Sequence, residues 1–530
     1  MRIYFILSLL PMFYYLIFKS KKAMHMLQQN WYNDDNRYFK WIIDNQVKVF
    51  ITFDLLFVLL YLTKLVDVKY SIIIYVFFYL IVYYLYKRNI SKEQSKKPLV
   101  ITARIKRLYI TTLILYLITI IPFIIDFDER VIHVYYTYIG LTVWVNYLYI
   151  MLANIINKPI EKLVFLYYKR KATNKLDSMI DLKRVCITGS YGKTSTKNAL
   201  NDILNVKYNS FATPKSFNTM LGLMNAINNY MDKFNDIFIA EAGAFKIGEI
   251  KEKADFIKPK YAILTVIGEA HLESFGSRKN IQKGKFELID SLPDDGVAVL
   301  NKDDEYQTGY KIKSKCKTIW VSLKDKSADV YASNIKLSDE GTKFTCTFKK
   351  TKEKCVFETK LLGEANVYNI LEAIALAYEL GMSSDEIKIG VKRINTIEHR
   401  LELKNMDNIT IIDDAYNSNP IGSKMALDVL DLMKGKKIIV TPGMIELGDK
   451  MYEYNMEFGR HIAKVCDEVI LVGKEQTKPI LDGIKKEKFN EKNIYILNDV
   501  KEAFPLMRKL SDKNTFVLLE NDLPDIFNEE

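Results

Sequence analysis

The first part of the chain consists of long apolar runs separated by short polar segments. A transmembrane helix needs about 20 apolar residues, within a range of roughly 17–25. The pattern therefore predicts an N-terminal α-helical transmembrane domain of about five helices over residues 1–157. The first run is the weakest, because it is short and contains Pro11. The five runs are residues 3–18, 49–65, 70–86, 108–125 and 132–156.

Basic residues flank these runs unevenly, which predicts their orientation. Five spans with an outside N-terminus place each strongly basic segment, and everything after residue 156, in the cytoplasm. If the first run does not span, the other four keep this orientation. Because lysines rather than a small-residue cleavage site follow the first run, a retained anchor is favoured over a cleaved signal. The basic segments contain Lys19, Lys21 and Lys22; Lys87, Arg88, Lys92, Lys96, Lys97, Arg104, Lys106 and Arg107; and Lys158, Lys162, Lys169, Arg170 and Lys171.

One carboxylate and one mixed segment interrupt this simple pattern. Asp54 lies five residues into the second run, and we expect it near the cytoplasmic interface rather than on an ion path. Residues 158–180 mix apolar and basic side chains, which is typical of a helix that lies on an anionic membrane surface. The same pattern also fits a cytoplasmic extension of the fifth span.

The pattern of apolar and polar residues changes near residue 184, where short apolar segments typical of strands begin to alternate with helical stretches. This alternation predicts a parallel α/β sheet. Residues 317–357 alternate Thr, Val, Phe and Lys, and we interpret them as a small antiparallel insert. A strong helix is predicted over residues 366–380. The strand candidates are residues 184–188, 237–240, 261–266, 297–300, 409–412, 437–440 and 468–472.

Composition narrows the possible classes. The 530 residues carry a net charge of +12, with 49% hydrophobic and 26% charged residues, which excludes a disordered or collagenous chain. The positive charge clusters beside the apolar runs, so anionic lipid explains it more simply than nucleic acid. The five cysteines have no metal-ligand spacing and lie on the cytoplasmic side, so reduced thiols are expected.

A glycine-containing loop carries the clearest chemistry. The segment TGSYGKTS at residues 188–195 lies between a strand and a helix. Glycines let backbone N–H groups face phosphate, and the helix N-terminus adds a favourable dipole. Lys193 is expected to neutralise phosphate oxygens and Thr194 to hold Mg²⁺. The segment is therefore predicted to bind phosphate, and the alternative is a plain strand–helix turn. The residues of this predicted site are Gly189, Ser190, Tyr191, Gly192, Lys193, Thr194 and Ser195.

Three further residues follow strands or lie close to them in sequence. Glu241 comes directly after a strand, where open α/β sheets bind ligands, and its carboxylate suits Mg²⁺. His271 and Lys285 carry less specific signals. On spacing alone, the histidine fits a surface or capping position and the lysine fits a solvated helix.

Ordered blocks along the chain nevertheless resemble the Mur ligases, the ATP-dependent ligases of bacterial cell-wall peptide assembly, and especially their D-alanyl-D-alanine-adding type. The resemblance covers roughly residues 180–475. Its blocks are the phosphate loop, SFNTMLG at 216–222, EAGA at 241–244 with GEI at 248–250, IGEAHLESFG at 267–276 with Lys285, LNKDD at 300–304, GEANVYN at 363–369, HRLE at 399–402, DDAYNSNP at 413–420 and GMIELG at 443–448.

The resemblance implies a mechanism and a set of site residues. ATP would phosphorylate a substrate carboxylate, and an amine would attack the acyl-phosphate to form an amide. The implied catalytic residues are Lys193, Lys285, His271 and Arg400, and the implied metal ligands are Thr194, Glu241, His271 and a carbamylated Lys285. Asn301, Asn366, Asn369, Arg400 and Asp414 are implied to place ATP, and Mg²⁺ is the implied metal.

The chain also departs from the family pattern. Membrane spans stand where the family has a uridine-nucleotide-binding domain, Ala365 replaces a frequent histidine, and LENDLP at 519–524 replaces a Lys-Gly-Ser segment. The first departure makes a lipid-linked acceptor attractive, although a uridine-linked one stays open. Expected partners are a cell-envelope precursor, an amino acid or short peptide, and membrane lipids, with no nucleic acid.

These observations predict a membrane-anchored ligase in the bacterial cell membrane, with its α/β domains in the cytoplasm. The predicted domains are a transmembrane domain (1–157), an interfacial linker helix (158–180), a central ATP-binding domain (181–395) and a Rossmann-like C-terminal domain (396–530). Two alternatives remain: a synthase of a poly-amino acid such as poly-γ-glutamate, and a membrane scaffold that has lost catalysis. Because Lys193, Glu241 and the other motif residues are intact, the scaffold is less favoured.

Overall fold

The structure, a computed structural model, describes residues 1–32, 37–90, 98–338, 340–406, 409–416 and 418–522. It divides into two compact units, Met1–Tyr167 and residues 168–522. Lys92, Lys96 and Lys97 of the predicted basic segment lie outside the described residues, as do Asn417, Leu523 and Pro524 of the sequence blocks.

The described residues of the first unit form helices and their connections, with no strand among them. Four of its helical segments, Arg2–Gln29, Gln46–Leu65, Val68–Asn89 and Ala103–Ile125, are long and apolar enough to cross a membrane. A fifth candidate is a pair of helices bent by 68°. The elements are α1 (Arg2–Gln29), α2 (Phe39–Asp44), α3 (Gln46–Phe50), a 3₁₀ helix (Phe53–Leu65), α4 (Val68–Ile90), α5 (Ala103–Ile125), a 3₁₀ turn (Glu129–Val131), α6 (Ile132–Trp144) and α7 (Asn146–Ser178).

The helices that form do not keep the bounds of the predicted runs. The second run is divided between α3 and the 3₁₀ helix Phe53–Leu65, and the first and fifth runs also differ. The first, predicted to end at residue 18, continues as α1 through Pro11 to Gln29. The fifth is not one straight helix, because it breaks at Val145 between α6 and α7. Helix α7 then continues without interruption to Ser178, so residues 158–178 belong to the same helix as the end of the fifth run. This continuity favours the extension over a separate interfacial helix.

A buried ion pair lies at the break between α6 and α7. Asp54 is 0% exposed and Lys19, whose Nζ donates to its carboxylate, is 1% exposed. The same ammonium donates to the carbonyls of Val143 at 3.1 Å and Trp144 at 3.0 Å. The last carbonyls of a helix have no partner within the helix, so the ammonium satisfies two of them. Asp54 thus lies in the interior of this unit, and Lys19 is not a solvated flanking residue.

The second unit begins with a nine-stranded sheet of order β2-β3-β1-β4-β5-β6-β7-β8-β9. It is parallel from β2 to β7, while β8 and β9 are antiparallel. Its strands are β1 (Lys183–Thr188), β2 (Ser210–Ala212), β3 (Ile237–Glu241), β4 (Tyr261–Leu264), β5 (Val297–Asn301), β6 (Lys317–Ser322), β7 (Val330–Ser338), β8 (Gly341–Phe348) and β9 (Glu353–Thr359). Its helices are α8 (Lys193–Leu204), α9 (Met220–Asn229), α10 (Glu249–Ile257), α11 (Leu272–Phe275), α12 (Arg278–Asp290), α13 (Glu305–Thr308), α14 (Glu364–Glu379) and α15 (Ser384–Arg393).

The predicted antiparallel insert is therefore only partly correct. Strand β6 pairs in parallel with β5, and the antiparallel strands extend the main sheet rather than forming a separate one. Alternation in β7 has the expected cause, because one face packs on the core while the other faces solvent. By contrast, every residue of β3 and β5 is buried, as in parallel strands covered on both faces.

A second sheet of six strands follows, in the order β10-β11-β15-β12-β13-β14, and only β10 is antiparallel to its neighbour. Its strands are β10 (Glu402–Met406), β11 (Ile409–Asp414), β12 (Lys436–Thr441), β13 (Glu468–Val472), β14 (Ile494–Leu497) and β15 (Thr515–Glu520). Its helices are α16 (Pro420–Asp431), α17 (Met451–Val465), α18 (Lys478–Lys486) and α19 (Val500–Leu510), with 3₁₀ turns at Gly448–Lys450 and Glu491–Asn493. The carboxyl ends of both parallel sheets are where ligands bind in such folds.

Candidate active site

The phosphate loop turns tightly between β1 and α8. Gly189 and Gly192 both have positive φ, at +152° and +79°. A Cβ at Gly189 would collide with Thr265, and one at Gly192 would collide with the Asn369 side chain. Ser190 Oγ donates to the carbonyl of Gly268 at 3.0 Å, which fixes the loop on the segment after β4. Only glycine fits at both bends, and the first N–H groups of α8 are free to face an anion.

Lys193 begins α8 and folds back over this loop. Its Nζ donates to the carbonyls of Gly189 at 2.8 Å and Ser190 at 3.0 Å. The pKa of Lys193 is lowered to about 8, chiefly by desolvation; the attraction of Glu241 opposes this shift, and repulsion from Arg400 adds to it. The ammonium is therefore held at the mouth of the loop, where the sequence predicts that phosphate oxygens bind.

Glu241, the last residue of β3, is the anionic centre of the site and is 1% exposed. Its Oε2 accepts from Thr194 Oγ1 at 3.0 Å and from Lys197 Nζ at 3.2 Å. Its Oε1 accepts from Asn218 Nδ2 at 3.1 Å. Burial raises the pKa of Glu241, but Lys197 and Lys193 outweigh burial and bring the pKa below its ordinary value. The carboxylate is thus ionised and fixed in place.

Sequence reasoning missed two of these partners. Lys197 lies four residues after Lys193, which places both lysines on one face of α8. Asn218 lies in the quoted block at 216–222, but nothing in the block pointed to Glu241. The helical spacing was therefore a usable signal for Lys197, whereas the Asn218 contact depends on the fold.

The predicted metal ligands are only partly brought together. The Thr194 hydroxyl and the Glu241 carboxylate are hard oxygen ligands of the kind that Mg²⁺ prefers, and their contact at 3.0 Å fits a shared ion. His271 lines the same cavity, but its Nδ1 lies 2.9 Å from Glu446 Oε2. Among the described residues, no three His, Cys, Asp or Glu side chains form a cluster able to hold a metal. Thr194 and Glu241 are therefore the pair that fits Mg²⁺.

Lys285 lies on α12 and is 2% exposed, so the expectation from spacing alone of a solvated lysine is wrong. Its Nζ lies 5.7 Å from the centre of the Phe275 ring. Desolvation holds the pKa of Lys285 well below its ordinary value, and repulsion from Lys193 and Lys253 adds to the effect. The protonated form of Lys285 is consequently less favoured than that of a solvated lysine.

The asparagines that the resemblance implies in ATP placement lie on β5 and α14. Asn301 Oδ1 accepts from the backbone N–H of Asp303 at 2.9 Å. Asn369 Nδ2 donates to Asn366 Oδ1 at 3.3 Å, and Asn369 Oδ1 accepts from Thr196 Oγ1 at 3.2 Å. The amide of Asn369 therefore links α14 to the helix that follows the phosphate loop.

The second sheet supplies the remaining predicted residues. Arg400 Nη2 donates to Thr194 Oγ1 at 3.5 Å, and its guanidinium lies 4.5 Å above the Tyr416 ring. Asp414 accepts from the backbone N–H of Leu401 at 3.1 Å. Burial raises the pKa of Asp414 to about 6. Arg400 thus brings a cation from the second sheet to the phosphate loop.

These residues surround one cavity of about 570 Å³. Its walls come from both sheets, so a ligand inside would touch both. Gly189 and Lys285 are the two predicted site residues that do not line it. The predicted residues that line it are Ser190, Tyr191, Gly192, Lys193, Thr194, Ser195, Glu241, His271, Asn301, Asn366, Asn369, Arg400 and Asp414.

A glycine loop with a lysine at a helix N-terminus, a buried carboxylate beside it and an arginine from a second α/β sheet define a nucleotide-using enzyme with a composite site. Comparison with known proteins gives the family. Residues 187–377 match the Mur ligase middle domain, and residues 399–520 match the Mur ligase, glutamate ligase domain. The chain belongs to the Mur ligase family and is an ATP-dependent ligase.

Two similar relatives are named UDP-N-acetylmuramoyl-tripeptide--D-alanyl-D-alanine ligase. The Bacillus subtilis (strain 168) protein is 30% identical over 339 residues, which is 63% of this chain and 72% of that protein. The Escherichia coli (strain K12) protein is 30% identical over 294 residues, 55% of this chain and 64% of that protein. The matched region therefore spans about two thirds of the length of these relatives.

Solved structures give the same fold. The crystal structure of MurF from Acinetobacter baumannii has a TM-score of 0.61 and 26% identity, covering 67% of this chain and 77% of that one. The MurF ligase from Thermotoga maritima in complex with ADP also has a TM-score of 0.61, with 24% identity over 68% of this chain and 80% of that one. The predicted α/β ligase fold is confirmed.

Proposed function

We propose that this protein is a membrane-anchored ligase of MurF type that joins a carboxylate on a cell-envelope precursor to an amine. Its relatedness to D-alanyl-D-alanine ligases supports an ATP-dependent peptide ligase of peptidoglycan synthesis. One arrangement carries the proposal: Lys193, Thr194 and Glu241 meet at the phosphate loop, and Arg400 reaches them from the second sheet.

The chemistry follows from these charges. A carboxylate oxygen of the acceptor attacks the γ-phosphorus, the bond to ADP breaks, and an acyl-phosphate forms. The amine nitrogen then attacks the carbonyl carbon, and the tetrahedral intermediate expels phosphate and loses a proton to leave an amide. Lys193 and Arg400 supply positive charge where phosphate charge gathers. Mg²⁺, held by Thr194 and Glu241, would add further charge neutralisation.

Lys285 is proposed to carry a carbamate. A neutral amine attacks carbon dioxide, forms an N–C bond and releases a proton, which leaves an anionic carbamate. Burial favours the neutral amine of Lys285, which supports this step. Mass spectrometry of the protein with and without bicarbonate should show a gain of one carboxyl group on Lys285. An unmodified Lys285 in active protein would contradict the assignment.

Membrane anchoring is proposed from the first unit, whose apolar helices number four, or five if the bent pair forms one span. The positive-inside pattern supports a multi-pass protein of the bacterial cell membrane with both α/β domains, residues 181–395 and 396–530, in the cytoplasm. In sequence, these helices stand where the family has its uridine-binding domain, which favours a lipid-linked acceptor, and a uridine-linked acceptor is the alternative.

The test is phosphate release from ATP by detergent-purified protein with acceptors added singly. One mixture contains a uridine-linked muramyl tripeptide and D-alanyl-D-alanine, another contains lipid-linked muropeptides and single amino acids, and a third contains glutamate alone. Release with only the lipid-linked acceptor supports the proposal in full, and release with only the uridine substrate contradicts the lipid-linked acceptor. Release with glutamate alone would indicate a poly-amino-acid synthase.

Lys193→Ala separates an enzyme from a scaffold. If the proposal is correct, this variant loses turnover because the phosphate loop loses its cation. Lys474→Ala, a lysine that lines no part of the cavity, is the matched control and should keep wild-type turnover. Equal ATP-dependent turnover in Lys193→Ala and the wild type would overturn the proposed site.

A further inference from the structure

The second lysine of α8 is completely buried beside the proposed metal site. Lys197 is 0% exposed. Its Nζ donates to Glu241 Oε2 at 3.2 Å and also to the backbone carbonyl of Lys215. One ammonium therefore joins α8, the end of β3 and the segment that contains Lys215.

That segment is the β2–α9 loop, defined here as residues 213–219. It is built around Glu241 by three further hydrogen bonds. The Glu241 N–H donates to Thr213 Oγ1 at 3.3 Å, Asn218 Nδ2 donates to Glu241 Oε1 at 3.1 Å, and the Gly243 N–H donates to the Asn218 carbonyl at 3.0 Å. The loop and the carboxylate thus form one hydrogen-bonded assembly.

The loop also reaches the cavity. Ser216 and Asn218 line it together with the phosphate loop and Glu241. Lys215 has a φ of +48°, a left-handed conformation that is unfavourable for a non-glycine residue. The carbonyl that accepts from Lys197 belongs to this strained residue, so the ammonium holds the loop at its least favourable point.

Stability alone gives no reason for a lysine here. A buried ion pair is often no more stabilising than apolar residues of the same size, because both charges lose their hydration. An apolar side chain at position 197 could fill the same space, but it could not hold the Lys215 carbonyl and the Glu241 carboxylate together. The location of the ammonium therefore indicates a positioning role.

We propose that Lys197 is a positioning residue that couples the β2–α9 loop to Glu241, so that binding of the metal–nucleotide complex orders the loop where Ser216 and Asn218 line the cavity. The inference rests on the proposed use of Glu241 as a metal ligand. It adds that the loop responds to that binding and that Lys197 transmits the response.

Hydrogen–deuterium exchange of the full-length protein in detergent, with and without Mg²⁺ and ADP, tests the coupling. In the wild type, Mg²⁺ and ADP should slow exchange both in residues 189–196 and in residues 213–219. In Lys197→Met, protection of the phosphate loop should remain, while the added protection of the β2–α9 loop should fall at least tenfold. Lys197→Arg, which keeps a cationic donor, should restore most of that protection.

The control is Lys175→Met. Lys175 Nζ also donates to backbone carbonyls, those of Ile227 and Met231, but it lines no part of the cavity. This variant should keep wild-type protection in both segments. If Lys197→Met does not fold, Lys197→Gln provides a second neutral variant and is judged in the same way.

Equal loop protection in Lys197→Met and the wild type would overturn the proposal. So would a wild-type β2–α9 loop whose exchange does not respond when the phosphate loop is protected. Failure of the wild type to bind Mg²⁺ and ADP at all would instead overturn the proposed function, and the inference with it. Protection of the phosphate loop thus separates the two failures.

Discussion

Two buried lysine–carboxylate pairs, one in each unit, have the same chemistry and different surroundings. Lys19 and Asp54 are both buried, and the lysine also donates hydrogen bonds to the carbonyls at the end of α6. Lys197 and Glu241 are equally buried, but Glu241 lines the cavity. The first pair closes a break between helices, whereas the second presents one partner to a ligand.

This difference shows that burial of an ion pair does not by itself indicate a functional site. For both lysines, contacts with one carboxylate and with backbone carbonyl oxygen offset the loss of hydration. What distinguishes Glu241 is that it also meets Thr194 of the phosphate loop and faces open space. Removing either pair should affect stability, but only the removal of Lys197 and Glu241 should end catalysis.

The largest effect on turnover is expected from replacing both Lys197 and Glu241. The double variant Lys197→Met/Glu241→Gln should lose turnover by at least about 1000-fold, which corresponds to roughly 4 kcal/mol of transition-state stabilisation. Its loss of stability should be smaller than that of Lys197→Met or Glu241→Gln alone, because no uncompensated partner remains. ATP-dependent phosphate release and thermal unfolding measure the two quantities. Turnover within tenfold of the wild type would show that Glu241 holds no metal during the reaction.

Replacing Lys19 and Asp54 in the first unit should instead lower stability and leave turnover almost unchanged. Lys19→Met leaves Asp54 buried without its cation and should cost about 3–5 kcal/mol of stability. Adding Asp54→Leu should recover part of this loss, but not all, because the carbonyls of Val143 and Trp144 stay without the ammonium. Thermal unfolding in detergent measures the change. The folded double variant Lys19→Met/Asp54→Leu should keep its turnover within about twofold of the wild type. A loss of turnover comparable to that of Lys197→Met/Glu241→Gln would remove the distinction between the two pairs.

The sequence located the chemistry better than it located these partners. The strand–loop–helix order placed the phosphate loop, and Glu241 was found because it directly follows a strand. By contrast, the sequence shows Lys19 only as one of the basic residues that flank the first run, since its partner Asp54 lies 35 residues away on another helical element. The contact between His271 and Glu446 spans 175 residues and joins two sheets, so no local pattern reveals it.

The prediction of a separate antiparallel insert was only partly correct for a similar reason. Residues 317–357 have the alternation of strands with one exposed face, but alternation does not specify the neighbouring strand. Pairing of β6 with β5 is a long-range outcome. The break in the fifth apolar run was also hidden, because Val145 is itself apolar and the polar groups that contact the break come from other helices.

A third buried carboxylate, in the second sheet, has an acid rather than a lysine as neighbour and sharpens the comparison. Glu520 is paired in register with Asp414 on adjacent strands and accepts from Ser418 Oγ at 2.6 Å. Burial and the charge of Asp414 raise the pKa of Glu520 well above its ordinary value, and burial raises the pKa of Asp414 to about 6. A raised carboxyl pKa contributes stability below the unfolded pKa near about 4, and this contribution is lost as the pH rises through the folded pKa.

Glu520→Gln should therefore reduce the loss of stability that occurs when the pH is raised from 5 to 7.5. The expected difference is about 1–3 kcal/mol, because one repulsive carboxylate is removed. Unfolding midpoints at the two pH values measure it. Glu379→Gln is the control, since that carboxylate pairs with an exposed lysine, Lys317. An unchanged pH dependence in Glu520→Gln would mean that the two acids do not repel each other.

The smallest effect is expected at the contact between the two sheets. His271 Nδ1 and Glu446 Oε2 are 2.9 Å apart, but the side chains are 25% and 38% exposed. A partly exposed pair of this kind contributes at most about 1 kcal/mol, so Glu446→Gln should change turnover by less than about fivefold. If His271 is instead a metal ligand when the nucleotide is bound, His271→Ala should lower turnover and Mg²⁺ affinity by roughly 100-fold or more.

Comparing these two variants determines what His271 does. Turnover at several Mg²⁺ concentrations gives the metal dependence of each. If Glu446→Gln and His271→Ala reduce turnover equally and leave the Mg²⁺ dependence unchanged, the histidine acts through its contact with Glu446. If only His271→Ala needs more Mg²⁺, the histidine exchanges Glu446 for the metal ion, and the same side chain serves as a closed pair in one state and as an open ligand in the other.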